Sequence, residues 1–331
     1  MREPAFWWQS GTGALLSPFG AIYGAVAARR MGSPGQRAGV PVICIGNLTV
    51  GGAGKTPTAL AVAQLLHAAH QRPFFLSRGY GGKLAGPVRV SPAIHHAADV
   101  GDEPLLLTRL APTIVAHDRV AGAKFAQFAG AGIIVMDDGF QNPSLAKDLA
   151  ILLVDGRRGI GNGRTIPAGP LRAPLAIQLD RAQAVVVIGK PDGAAVVLDA
   201  ALERELGVFH GRLEPDRNVI AAIGRRKVLA FAGIGDPAKF FATLTEAGIA
   251  VAQRLSFPDH HRYTPAQAQD LVAHAQAENL MLLTTEKDLV RIGGDPQLEA
   301  LAVRTSALPV HLVIDEEGAF RQMVLDAVKR G

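Results

Sequence analysis

The chain has 331 residues, 48% hydrophobic and 19% charged, and its 34 lysines and arginines against 29 aspartates and glutamates leave a formal charge of +5. That composition excludes a disordered tail, and a lone cysteine, Cys44, excludes an intrachain disulfide framework or a cysteine-ligated metal site. A bias this mild, with few aromatics and no dense basic cluster, points away from nucleic acid and leaves an acidic membrane surface or an acidic substrate open.

Residues 5–28 carry no charge, yet glycines and polar residues dilute them too much for a membrane-spanning helix. Leu15, Phe19, Ile22 and Val26 recur at helical spacing, with Phe6, Trp7 and Trp8 ahead and Arg29 and Arg30 behind. An apolar face with aromatic anchors and a basic end suits the plane of a membrane interface; a helix packed on the protein's own core is the competing reading.

From Val40 the chain alternates short β-branched runs with alanine- and leucine-rich stretches, the pattern of a mostly parallel sheet covered by helices. Strands are expected at Val42 to Ile45, Phe74 to Leu76, Thr113 to Ala116, Ile133 to Met136, Ile151 to Val154 and Ala184 to Ile188. The spacing resets near residue 212, and Val228 to Ala232, Ile249 to Gln253 and Met281 to Thr284 read as three more. The expected organisation is an N-terminal amphipathic segment over 1–38, a core domain over 39–212, and a smaller C-terminal α/β domain over 213–331.

The first strand runs into Gly46-Asn47-Leu48-Thr49-Val50-Gly51-Gly52-Ala53-Gly54-Lys55-Thr56-Pro57 and then an alanine-rich helix. Gly51, Gly52, Ala53 and Gly54 let backbone N–H groups close on phosphate oxygens, Lys55 brings a charge to the outer phosphates, and the Thr56 hydroxyl suits Mg²⁺. Pro57 fits a first helical turn, where no donor is lost. Thr49 stands where the general pattern has its first glycine. A strand-end acid should share the metal, and Ile133-Ile134-Val135-Met136-Asp137-Asp138 supplies two, with nothing to choose between them. The fold class is therefore an α/β, P-loop NTPase-type architecture. A membrane-associated ATPase or GTPase switch with no phosphorylated product fits such a loop too, although in Ile188-Gly189-Lys190-Pro191-Asp192 a glycine stands where a guanine reader has Asn. A non-catalytic headgroup-binding module is less compatible with intact Lys55 and Thr56.

The ordered set of motifs is more specific than any one of them. The phosphate loop, Leu76-Ser77-Arg78-Gly79-Tyr80-Gly81, Gly101-Asp102-Glu103-Pro104, Asp137-Asp138-Gly139-Phe140-Gln141, Pro167 to Arg172, Phe257-Pro258-Asp259-His260 and Thr284 to Asp288 follow one another across residues 40–290. Together they resemble the tetraacyldisaccharide 4′-kinases, the lipid A 4′-kinases of Gram-negative bacteria. The resemblance implies transfer of the γ-phosphate of ATP, with Mg²⁺, to the 4′-hydroxyl of an acylated glucosamine disaccharide 1-phosphate. It also implies that the N-terminal helix dips into the cytoplasmic face of the inner membrane, with neither nucleic acid nor an obligatory protein partner.

Carried over residue by residue, it makes Lys55 and Asp102 catalytic, Asp102 as the base that takes the hydroxyl proton, with His260 as the partner that orients it. Gln141 is expected near the nucleotide and metal, with Thr56 and Asp137 or Asp138 holding the metal. Arg78, Tyr80, Arg119 and Arg172 are expected on the substrate. A plain helix cap is the competing role for Asp102; the Thr284 to Asp288 stretch either meets the nucleotide base or caps a helix, and the cap is the expected role. Two departures stand out: Asn142 follows Gln141 where the family usually has His, and Ala173 follows Arg172 where it usually has Glu. Two domains also imply hinge closure, with His260 meeting Asp102 only when closed.

Overall fold

Residues 42–47 are all buried, because neighbouring strands flank them on both edges and helices cover both faces. They form β1 (Val42–Asn47), the middle of a nine-stranded sheet in a computed structural model that describes residues 3–9 and 12–330. Positions 1, 2, 10, 11 and 331, which the expected terminal segments include, lie outside the described residues.

The strands that follow are β2 (Pro73–Ser77), β3 (Val88–Arg89), β4 (Thr113–Val115), β5 (Ile133–Asp137), β6 (Leu149–Asp155), β7 (Ala184–Ile188), β8 (Gly207–Pro215), β9 (Val228–Ala232), β10 (Val251–Ser256), β11 (Met281–Thr284), β12 (Thr305–Ala307) and β13 (Val310–Ile314). The large sheet runs β13-β8-β7-β6-β1-β5-β2-β4-β3 and is parallel except where β3 and β13 pair at its two edges. Val42 and Cys44 point into one core, Ile43 and Ile45 into the other, so apolar runs are continuous rather than alternating. A second, parallel sheet, β10-β9-β11-β12, has its own two cores. Its first strand starts at Val251, later than expected, because the Ile249 N–H closes the turn of the preceding helix on the Leu244 carbonyl.

After β12 the chain returns to the large sheet. β13 pairs antiparallel with β8, and Phe320 and Val324 of the final helix, Glu317–Arg330, enter the core beneath α2 (Lys55–Ala68). Residues 310–330 thus sit with the larger unit, not in the C-terminal domain of 213–331 expected from the sequence. The smaller unit is an insertion between β8 and β13. Half-buried β8, with Arg212 and Glu214 in it, carries no continuous apolar run to betray this pairing.

At the N-terminus, α1 (Ser17–Met31) is one residue past a short 3-10 turn. Gly20 and Gly24 form its underside, close against Thr165, Ala168 and Pro174, and Thr165 donates its hydroxyl to the Gly20 carbonyl. Outward, Leu15, Phe19, Ile22 and Val26 are 86, 62, 65 and 54% exposed. Among the described residues no helix is long and apolar enough to cross a membrane.

Candidate active site

The turn between β1 and α2 is held by its own side chains. Asn47 Nδ2 donates to the Gly51 carbonyl at 2.7 Å, and Lys55 Nζ reaches the same oxygen at 3.4 Å. Gly51 (φ 105°) and Gly54 (φ 90°) take left-handed backbone that a side chain disfavours, and Gly54 opens α2 so that its first N–H groups face the loop. From behind, Gln141 Nε2 donates to the Asn47 carbonyl at 2.8 Å and to Gln178 Oε1 at 2.9 Å. Gln141 lines the cavity, but its amide nitrogen is committed to bracing this turn.

Three buried side-chain oxygens beside the loop lack hydrogen-bond partners. Thr56 Oγ1 and both carboxylate oxygens of Asp137 accept or donate no hydrogen bond. Burial, and next the charge of Glu103, pushes the Asp137 carboxyl up to about 8 against the pull of Lys55. Such orphaned hard oxygens fit a divalent cation whose remaining ligands are phosphate oxygens and water. Among the described residues no three His, Cys, Asp or Glu are grouped to hold a metal.

Asp138, at φ 53°, turns the other way. Arg172 grips it with Nη1 at 2.8 Å and Nη2 at 3.3 Å while its Nε donates to the Thr49 carbonyl at 3.1 Å. Lys55 Nζ lies 3.8 Å from Asp138 Oδ2. Burial opposes ionisation of Asp138, but Lys55 and Arg172 outweigh it and hold the carboxyl below its ordinary value. The fork of Arg172, expected on substrate, is therefore committed to Asp138 and the loop.

Asp102 is the first residue of the short helix Asp102–Leu107 and is 4% exposed. Its Oδ1 accepts from the Glu103 N–H at 3.0 Å, but the N-cap position is Gly101 and no side chain caps this helix, so the competing cap role for Asp102 is not met. Its Oδ2 faces the smaller unit: His260 Nδ1 stands 3.6 Å away, and Arg291 donates through Nε at 2.8 Å and also through Nη2. Burial works against the charge, but His260, Arg291 and Lys287 together hold this carboxyl far below the usual carboxylate range.

Lys287 is itself paired with Glu103 at 2.6 Å. Lys287 belongs to the motif Thr284 to Asp288, but Arg291, four residues on and on the same face of the helix Glu286–Ile292, has no signal in that motif. The cap reading of that stretch stands beside this: Thr285 caps the helix through the Asp288 N–H.

Tyr80, 64% exposed, leans its ring on His260 with centroids 5.1 Å apart. Arg78 is exposed on the same wall. Arg119 is 2% exposed, donates to the Ala116 carbonyl, and leaves its Nε without a partner. The phosphate loop, Arg78, Tyr80, Asp102, Arg119, Asp137, Asp138, Arg172, His260 and Arg291 line one cavity of about 2410 Å³ between the two units. That is well above the roughly 300–1,000 Å³ of ordinary small-molecule sites, so a nucleotide and a large headgroup have room together.

The family model for LpxK, tetraacyldisaccharide-1-P 4′-kinase, matches residues 12–329. The chain belongs to this family. A tetraacyldisaccharide 4′-kinase of Rhodopseudomonas palustris (strain BisB18) is 53% identical over 328 residues, covering 98% of this chain and 96% of the relative. One from Bradyrhizobium sp. (strain ORS 278) is 50% identical over 333 residues, covering 98% and 97%. Among solved structures, the "apo" form of LpxK from Aquifex aeolicus in complex with ATP superposes with a TM-score of 0.72 at 27% identity, covering 96% of this chain and 100% of that one. In the sequence, the motifs that carried the resemblance are the ones that line the cavity or brace it: the phosphate loop, Asp102, the Asp137-Asp138 pair, Arg172 and His260.

Proposed function

We propose that the chain transfers the γ-phosphate of ATP to the 4′-hydroxyl of a tetraacylated glucosamine disaccharide 1-phosphate, giving the 4′-phosphorylated lipid A precursor. One observation carries the reading. A complete phosphate loop with unpartnered Thr56 and Asp137 oxygens faces, across one cavity, a buried Asp102 beside His260.

In this reading Lys55 and the loop N–H groups bind the phosphates. Thr56 and Asp137, rather than the already paired Asp138, would hold a magnesium ion, which when bound neutralises charge on the transferring group. Asp102 accepts the proton of the hydroxyl as the new O–P bond forms, and His260 orients it. Arg78, Tyr80 and Arg119 meet the sugar and its phosphate, Arg119 with its free Nε. Arg172 holds Asp138 against the loop, and Gln141 braces the loop from behind. The meeting of the two units excludes water, so that the hydroxyl and not water attacks phosphorus.

A lipid substrate must be reached at a membrane. The exposed face of α1, with Arg29 and Arg30 in its last turn, supports its docking on the cytoplasmic surface of the inner membrane, as a peripheral or monotopic anchor. A nucleotide switch without a phosphorylated product is not favoured, since the family to which the chain belongs is one of kinases.

The deciding assay follows label from γ-labelled ATP into purified tetraacylated disaccharide 1-phosphate in detergent micelles with Mg²⁺. Label in the lipid, lost in Lys55→Ala and in Asp102→Ala, is the expected result. Free phosphate with unlabelled lipid would overturn the reading.

A further inference from the structure

We propose that Arg291 is a positioning residue for the transfer: the smaller unit delivers its guanidinium to Asp102 and so fixes the orientation of that carboxylate when the two units are joined. The inference rests on the role proposed above for Asp102.

Every nitrogen of the fork has a defined task. Nε and Nη2 both donate to Asp102 Oδ2, while Nη1 donates to Asp288 Oδ1 at 3.0 Å and to the Gly233 carbonyl. Asp288 is fully buried and held from several sides: it accepts from the Gly233 N–H, from Tyr263 Oη at 3.0 Å and from the Thr285 hydroxyl at 2.7 Å. The fork therefore stands on a fixed pedestal, which is what a group needs if it is to set another group's direction.

His260, by contrast, lies 3.6 Å from Asp102 Oδ2 and 3.4 Å from Arg291 Nη2, long for hydrogen bonds, and it is 34% exposed. Arg291 is 7% exposed and makes the closer contacts. Because both of its bonds converge on Oδ2, Oδ1 keeps only the Glu103 N–H and has room to accept the hydroxyl proton. Other ion pairs cross between the units, Lys287 to Glu103 and Arg109 to Glu286, so holding them together does not depend on Arg291 alone. Of these cations only Arg291 touches the carboxylate. The charged groups around Asp102 are Glu103 on its own helix, Lys287, Asp288 and Arg291 on the facing helix, and Asp259 and His260 on the loop between.

The test compares wild type, Arg291→Lys and Arg291→Ala by thermal melting, by binding of a fluorescent ATP analogue, and by transfer to the lipid across about pH 4 to 9, a window that spans the ordinary carboxylate and histidine ranges. In Arg291→Ala, kcat is expected to fall about 10- to 100-fold with KM for ATP little changed, as for loss of an aligned acid–base group. The acidic limb of kcat moves to higher pH, because the carboxyl loses its nearest cation, and added guanidinium ion restores part of the rate. Arg291→Lys, which keeps the charge but cannot hold Asp288 and grip Oδ2 twice, melts near wild type with a smaller loss of kcat. An unmoved acidic limb with no rescue by guanidinium, or wild-type kcat in Arg291→Lys, overturns the proposal. Absence of labelled lipid with wild type would instead overturn the functional reading beneath it.

Discussion

The outward face of α1 makes a prediction whose size can be worked out. Full burial of a Phe or Ile side chain is worth about 1.5–3 kcal/mol. Phe19 and Ile22 are 62% and 65% exposed, so roughly two-thirds of that, about 1–2 kcal/mol each, is available to a bilayer. The double variant Phe19→Ser/Ile22→Ser should lose about 2–4 kcal/mol of membrane affinity, a drop of about 30-fold to several hundredfold in partitioning. Its melting temperature should stay near wild type, because neither side chain is buried in the fold. Gly20→Val is the opposite control: a Cβ there lies 2.8 Å from the Thr165 carbonyl and 3.1 Å from Ala168 Cβ, so it lifts the helix from its seat and lowers the melting temperature. The assay is flotation with vesicles containing anionic lipid. If the double variant floats as wild type does, the outward face is not the membrane contact.

Asp102→Asn should lower the melting temperature at neutral pH, because it leaves the buried Arg291 facing a neutral group. The wild-type carboxyl has its folded pKa depressed, so its contribution is present above the unfolded value of about 3.9 and is lost as pH falls from there towards the folded value. The gap between variant and wild type should therefore narrow below about pH 4 in melts across pH, given that unfolded value. Gly46→Ala sets a methyl group against Phe140 Cβ in the turn after β5, and overpacking of this kind costs about 1–3 kcal/mol. Denaturant unfolding should show that loss, and equilibrium dialysis a weaker hold on ATP, since Phe140 adjoins Gln141 behind the loop.

The parts legible in the sequence were those written locally. Val42 to Ile45 and Ala184 to Ile188 are buried on both faces, so their apolar runs announce strands without any partner being known. The phosphate loop is a turn whose chemistry lies in consecutive residues. The stripe of Leu15, Phe19, Ile22 and Val26 was equally plain, and its outward orientation follows from the two glycines that let the other side sit down.

What escaped was relational. Asp137 and Asp138 are adjacent and chemically identical, and only the backbone turn at Asp138, which hands it to Arg172, separates them. The pairing of Arg291 with Asp102 spans 189 positions and two units, a distance over which no periodicity speaks. The return of β13 to β8 joins two half-buried strands, one of them at the sheet's edge, neither with a continuous apolar run.

That return constrains how the smaller unit can move. It leaves the large sheet after Pro215 and rejoins it at Val310, residues that are register partners, and just beyond them the Asp216 N–H bonds the Pro309 carbonyl at 2.9 Å. An insertion held by two adjoining, hydrogen-bonded strands has little freedom to twist or drift, which leaves rotation about one line as its easiest motion. Were the unit to open and close about that line, Arg291 and His260 would return to the same place on Asp102. A single flexible tether would let the smaller unit land in many poses, and most of them would leave the carboxylate unmatched. The strand pair thus acts as a mechanical guide, and lengthening only one of its two arms would blur the landing without touching any residue in the cavity.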